Sequence, residues 1–352
     1  MSEEPTKPPR RKRYAGRNPR KFEDKYKEHD PGRYAGTVAK VLASGKTPAG
    51  SHVPVLTNEC LDSLALRAGM TGVDCTLGYG GHARRILERI APRGFLLGLD
   101  QDPVELPKTE ARLREAGFGP DAFLALRSNY AGIAKALAAQ GMEQVDFILA
   151  DLGCSSMQYD DPARGFSFKH DGPLDMRMNP ARGLSAKAWL ERVTPCALEE
   201  VLREHSDEPQ AVLLGRALAG GSFGTTTALA RAVGEVVGGE TADAAIRRVF
   251  QAVRIAVNEE SGALEMLLRA LPGCLKAGAR VAILTFHSGE DRRVKKSFKQ
   301  GVADGVYARM SDGVIVAGPD ERRMNPRSAP AKLRWAEKAC KAGRDLPPGG
   351  PR

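Results

Sequence analysis

The sequence predicts an α/β protein, a doubly wound and mostly parallel sheet with an inserted all-helical domain. Three observations carry that prediction. Between residues 72 and 152, short apolar runs of strand character alternate with segments of helical spacing, the pattern of a parallel sheet covered on both faces. From Ser185 to Leu271 only the helical period is present, and then an apolar run at 280–286, RVAILTF, resumes the sheet. Three acids, Asp74, Asp100 and Asp151, fall at or near strand ends, where open α/β sheets bind their ligands.

Each element follows in chain order. Residues 1–50 hold 13 Lys/Arg against 6 Asp/Glu and few apolar residues, so a largely disordered basic extension is expected. His52-Val-Pro-Val-Leu56 opens the folded part, followed by an amphipathic stretch at 59–66. Residues 73–77 read as a buried strand running into a glycine turn at Gly78, Gly80 and Gly81. Residues 83–90 then have helical spacing, with Ile86, Leu87 and Ile90 apolar against Arg84, Arg85, Glu88 and Arg89. A second strand, 94–99, ends in Asp100, and a charged helix spans 104–116. Residues 123–126 make a third strand, 133–140 a helix, and 145–152 (VDFILADL) a run apolar enough to be buried on both faces.

Residues 153–180 show Gly and Pro punctuation and no period. A loop this long inside a domain is usually functional, and Phe166, Phe168, Leu174, Met176 and Met178 are poor choices for solvent. Helices are expected at 185–192, 197–204, 209–218, 226–237, 242–258 and 262–271, with Ser185 and Thr226 as N-caps. After the strand at 280–286, residues 306–316 look like an antiparallel hairpin turning at Ser311-Asp312-Gly313. The Pro/Gly-rich end, 346–352, should fray.

Strand, glycine turn and helix bring a nucleotide against bare N–H groups at a helix N-terminus. An acid ending the next strand accepts hydrogen bonds from both hydroxyls of a ribose. Gly78-x-Gly80-x-x-Ala83, with Asp100 placed 22 residues after Gly78, satisfies a dinucleotide fingerprint, and an ordinary strand–helix corner gives the same turn. Asp74 weighs on the choice. A carboxylate inside the first strand repels a pyrophosphate but serves the ammonium of a methionine moiety, which favours S-adenosylmethionine. A nicotinamide-dependent dehydrogenase stands as the alternative, although the loop after Asp151 offers no clear second nucleotide half.

The formal net charge of +10 is unevenly spread: residues 291–352 hold 15 Lys/Arg against 7 Asp/Glu, while residues 51–290 hold 25 against 30. An acidic body with two basic ends suits a polyanion held by the ends; for the N-terminal part alone, a solubilising tail explains the charge as well. The six cysteines never come closer than 15 positions, which argues against a zinc site and a disulfide framework and for reduced thiols in the cytosol. No metal is expected. No run approaches a membrane span and no signal peptide is visible, so neither a membrane nor a secretory role is expected.

Several separate motifs remain: Asp100-x-Asp102-Pro103, Asp151-Leu-Gly-Cys-Ser-Ser-Met-Gln158, Arg164-Gly-Phe-Ser-Phe168 and Pro173-Leu-Asp-Met-Arg-Met178. Further on come Phe250-Gln-Ala-Val-Arg-Ile-Ala-Val-Asn258, Phe286-His-Ser-Gly-Glu-Asp-Arg292 and Ala331-Lys-Leu-Arg334. With the glycine turn they resemble the bacterial 16S ribosomal RNA (cytosine-N4)-methyltransferases, a class I S-adenosylmethionine-dependent family, across residues 52–338. The resemblance implies a Rossmann-like catalytic domain at 51–158 and 272–340. A loop plus helical insertion at 159–271 would recognise RNA, with 1–50 and 341–352 as extension and tail. It implies S-adenosyl-L-methionine held by Gly80, Gly81, His82, Asp100, Tyr130, Asp151 and Gln158. Tyr130 stands where the family has Phe, keeping a ring for adenine, and Gly289 stands where it has Leu.

The implied substrate is a decoding-centre cytidine of 16S rRNA, within the small ribosomal subunit or its precursor, everted to reach the pocket. The implied location is cytoplasmic, and the resemblance leaves monomer and homodimer both open. Direct transfer to the exocyclic nitrogen needs acceptors that localise its lone pair. Candidates are the carbonyls of 152–154, the Asp175 carboxylate and His287, the last equally well read as a structural hydrogen-bonder at a strand end. Arg164, Arg177, Arg254, Asn258, Arg292 and Arg334 are assigned to RNA or to fixing the loop, with Arg177 also readable as an ion-pair partner of Asp175. A non-catalytic RNA-binding assembly factor would keep the basic ends but let the cofactor residues decay, and Gly80, Gly81, Asp100 and Gln158 are intact.

Overall fold

Among the described residues seven strands form: β1 (Thr71–Asp74), β2 (Phe95–Asp100), β3 (Phe123–Arg127), β4 (Val145–Asp151), β5 (Leu275–Thr285), β6 (Tyr307–Met310) and β7 (Lys332–Lys338). They make one sheet of order β3-β2-β1-β4-β5-β7-β6, parallel throughout except that β7 runs antiparallel to both its neighbours. The computed structural model describes residues 54–340; the expectations for 1–50, His52 and 346–352 lie outside the described residues.

The period of two along each strand sorts side chains onto two cores. On one face Val73, Leu97, Leu99, Ile148, Val281 and Ile283 are buried under α4 (Ile133–Ala139), α11 (Glu260–Cys274) and α12 (Ser288–Ala303). On the other, Leu96, Phe147, Leu149, Ala282 and Leu284 meet α1 (Thr57–Leu64), α2 (Gly81–Ile90) and α3 (Leu106–Glu115). Gly72 is required where β1 passes Phe147, since a Cβ there would lie 2.2 Å from the ring.

A third core stands apart from the sheet. The loop residues Phe166, Leu174, Met176 and Met178 are buried together with α6 (Ala186–Leu190), α7 (Pro195–Ser206), α8 (Ala211–Leu218), α9 (Thr226–Val237) and α10 (Ala242–Val257). The short α5 (Ser156–Asp160) precedes them, and α13 (Pro319–Met324) lies before β7. The apolar loop residues are thus packed, as their chemistry required. Ser185 caps α6 as expected, whereas the cap of α9 is Thr225, one residue before the expected Thr226.

Two expectations are corrected. The helix expected at 262–271 as part of the insertion is α11, whose Leu264, Leu267, Leu268 and Leu271 pack on the sheet; the return to the sheet layer comes at Glu260, before the boundary at 271. Residues 306–316 do not fold on themselves. Met310 pairs with Ala336 and Ile315 bridges to Leu333, so both halves lie along β7 and the Ser311-Asp312-Gly313 turn is a bend between them.

Candidate active site at the switch point

β1 and β4 are neighbours although the chain winds away from them to opposite sides, so the switch point opens at their carboxyl ends. From Asp74 the chain turns into α2. Gly80 is the left-handed N-cap (φ 84°), and a Cβ on it would come within 2.9 Å of Thr109 Cγ2. With no side chain capping α2, its first N–H groups are left for a ligand. Behind the turn, Thr109 Oγ1 donates to the Gly78 carbonyl and the Arg112 guanidinium lies 3.7 Å from the Tyr79 ring centroid.

Asp100 fixes the turn from β2. Its Oδ2 accepts the Gly78 N–H at 2.8 Å and its Oδ1 the Asp102 N–H at 2.9 Å. Burial lifts its pKa to about 6, against those hydrogen bonds. Buried Asp102, which the site prediction left out, holds the next layer: its Oδ2 accepts from Gln158 Nε2 at 2.8 Å and Arg164 Nη1 at 2.9 Å. Its place two residues after Asp100 was the available signal. Gln158 also closes a capping box with Ser155 at the start of α5, so its amide positions Asp102 and the loop after β4.

His82 lies 2.9 Å from the Val55 carbonyl through Nε2 and 3.5 Å from Asp151 Oδ2 through Nδ1. Burial lowers its pKa, and a neutral ring that donates to the carbonyl turns an acceptor toward Asp151. Burial, and then the charge of Glu290, pushes Asp151 up to about 7. Burial pushes Asp74 up to about 6, with His82 and the Thr76 N–H pulling the other way. Among the described residues, Asp74 Oδ2 and Asp151 Oδ1 are buried with no hydrogen-bond partner. An orphaned buried acceptor costs about 1–3 kcal/mol. Two of them beside a helix N-terminus and a ribose-type acid fit S-adenosylmethionine, whose ammonium and sulfonium are cations.

A pH dependence follows. All three folded pKa values lie above the usual 3.8, so these groups stabilise the cofactor-free protein fully below about pH 4, and that contribution is lost as pH rises through 6–7. A cationic ligand requires the ionised forms. Cofactor binding is therefore expected to release protons near pH 6.5 and to weaken as pH falls from 8 to 6. Calorimetry in two buffers of different ionisation enthalpy reads this directly; equal heats and a flat affinity profile would contradict it.

The remaining expected site residues are less uniformly placed. Tyr130 is half-buried against the first core, its hydroxyl 3.5 Å from the Glu260 carbonyl, and desolvation raises its pKa. Asp175 is held by Arg177, with Nε on Oδ1 at 2.8 Å and Nη2 on Oδ2 at 2.7 Å; burial would raise its pKa, but those bonds bring it below the usual value. Arg177 thus pairs with Asp175, whose Oδ2 accepts only one of these bonds and keeps a lone pair open. His287 is the N-cap of α12, its Nδ1 accepting the Glu290 N–H, while its buried Nε2 lies 3.2 Å from Glu290 Oε1 without a hydrogen bond; Glu290 also accepts the Phe286 N–H. Gly289 is tucked against it, where a Cβ would lie 3.1 Å from His287 Nδ1.

The basic residues assigned to RNA are mostly engaged within the protein. Arg164 binds Asp102 and the carbonyls of Arg177 and Met178. Arg254 is buried and doubly bonded to Glu260, at 2.9 and 3.0 Å, and Arg334 is buried on Asp291. Asn258 accepts the Met178 N–H and donates to the Met176 carbonyl, clamping a loop in which Met176 holds a left-handed φ of 60°. Arg292 alone of the six is exposed, paired loosely with Asp207 at 3.3 Å.

Strand order and this acid-lined end define the class: a Rossmann-like, S-adenosylmethionine-dependent methyltransferase. The chain belongs to the MraW methylase family, whose sequence profile matches residues 49–339. It is 45% identical over 342 residues to ribosomal RNA small subunit methyltransferase H 1 of Lachnoclostridium phytofermentans, covering 94% of this chain and 93% of that one. It is 44% identical to the protein of the same name from Agathobacter rectalis, covering 94% and 97%. Among solved structures, an rRNA methylase from Streptococcus thermophilus aligns with a TM-score of 0.40 at 11% identity, covering 82% of this chain and 100% of that chain.

Proposed function

We propose that the chain methylates the exocyclic N4 of a decoding-centre cytidine in small-subunit ribosomal RNA, within the small subunit or its precursor in the cytoplasm. The names of the relatives support the RNA substrate, and the motif set supports cytosine N4. S-adenosylmethionine supplies an electrophilic methyl group on a sulfonium. Asp100 holds the ribose hydroxyls, and Asp74 and Asp151 face the cationic methionine end. The acceptors for the cytosine amine are drawn from the carbonyls of 152–154, the Asp175 carboxylate and His287, whose buried Nε2 has no hydrogen-bond partner among the described residues. Two hydrogen bonds from that NH2 localise its lone pair in line for attack. The nitrogen sheds its extra proton readily after transfer, so no strong base is required.

The observation that supports direct transfer is the state of Cys154. Burial pushes its thiol up to about 11 despite the Arg254 guanidinium, whose Nη1 lies 3.5 Å from Sγ. A thiol that stays protonated is a poor nucleophile toward a pyrimidine ring. Cys154→Ala and Cys154→Ser are expected to retain most methyl transfer. The assay is incorporation of label from tritiated cofactor into small subunits, followed by digestion to nucleosides and chromatography. N4-methylcytidine is the expected product. A folded, cofactor-binding Cys154→Ala without activity would sink direct transfer.

A further inference from the structure

We infer that Lys332 binds a backbone phosphate of the target nucleotide at the rim of this pocket. The inference rests on the RNA reading above and adds a residue to it. β7 runs antiparallel to β5, so its first residue, Lys332, pairs with Thr285, the last of β5. Thr285 Oγ1 donates to the Lys332 carbonyl at 3.2 Å. The lysine therefore stands at the carboxyl end of the sheet, beside Phe286 and His287, although it lies far along the chain from every cofactor residue.

Among the basic residues of the motifs, Arg292 and Lys332 are held loosely, and of the two Lys332 stands on the sheet, at the carboxyl end of β5. Arg164, Arg177, Arg254 and Arg334 each hold a carboxylate at 2.9 Å or less. The Lys332 side chain is 37% exposed, and its ammonium lies 3.8 Å from Asp291 Oδ2. Asp291 is already engaged by Arg334 through both oxygens, at 2.7 and 3.2 Å. Meanwhile this end of the sheet is acidic: Asp74, Asp100 and Asp151 lie at strand ends, and Glu290 on α12 is close enough to raise Asp151. That acidity suits a cationic cofactor and repels a polyanion. An RNA strand delivering a base here needs a cation at the rim, and a loosely held ammonium is a point-charge phosphate binder.

The test compares wild type, Lys332→Met and Lys332→Arg by kcat/KM for methyl transfer to small subunits across a salt series, with cofactor affinity measured alongside. Lys332→Met is expected to lower kcat/KM about tenfold and to reduce the log–log salt slope by about 0.7–0.9, the loss of one phosphate contact. Cofactor affinity should stay within about twofold, and Lys332→Arg should recover most of the activity and slope. An unchanged salt slope in Lys332→Met, a parallel loss of cofactor affinity, or no recovery by arginine would overturn the assignment. If wild type itself labels no RNA, the RNA reading fails and this inference with it. If wild type labels RNA and Lys332→Met matches it, only this inference fails.

Discussion

Asp100→Ala is expected to weaken S-adenosylmethionine binding by about 3–6 kcal/mol, a hundredfold or more, while the fold survives. On the proposed role two charge-assisted hydrogen bonds to the ribose would be lost, each contributing about 1.5–3 kcal/mol. The same carboxylate also holds the Gly78 and Asp102 N–H groups, so the glycine turn loses its anchor at the same time. Asp100→Asn is nearly isosteric but should recover little, because its NH2 would face one of those two N–H donors. Titration calorimetry on variants checked by circular dichroism measures this. Unchanged affinity in a folded Asp100→Ala would remove the cofactor assignment.

Arg254→Ala is expected to destabilise the protein by about 3–5 kcal/mol, because Glu260 would remain as an uncompensated buried charge. The pair has a particular place. Arg254 is on α10 in the third core, and Glu260 opens α11 on the sheet, so the bond straddles the joint between them. Replacing both by leucine should restore much of the loss, since the cost lies in the orphaned charge rather than in the missing pair. Denaturant unfolding of the two single variants and the double variant resolves the coupling. A folded Arg254→Ala of wild-type stability with weakened RNA binding would return this arginine to the substrate.

What was legible in the sequence follows from how local each signal is. The run at 145–152 is apolar on both faces and reads as a central strand, and Asp100 announces itself by ending another. β7 was missed as a strand because Lys332, Arg334, Glu337 and Lys338 interrupt its apolar residues, and its strand character lies in pairing with β5 and β6. The same non-local pairing turned the expected hairpin into two segments on one partner. α11 has the same period as the helices before it, and only its contacts assign it to the sheet.

At the site, the glycine turn and the strand-end acids were readable because backbone and spacing carry them. The partners of the arginines were not. Asp102 lies 62 residues from Arg164 and Asp291 lies 43 from Arg334, and no sequence pattern couples them. Asp175 and Arg177 are adjacent enough to have been seen as a pair, and were.

The central claim is most directly tested by mass spectrometry of small-subunit rRNA nucleosides from cells lacking the gene, complemented with wild type or Asp100→Ala. N4-methylcytidine is expected to be missing without the gene, restored by wild type and absent with Asp100→Ala. An unchanged N4-methylcytidine level on deletion, or loss of 5-methylcytidine in its place, would contradict it.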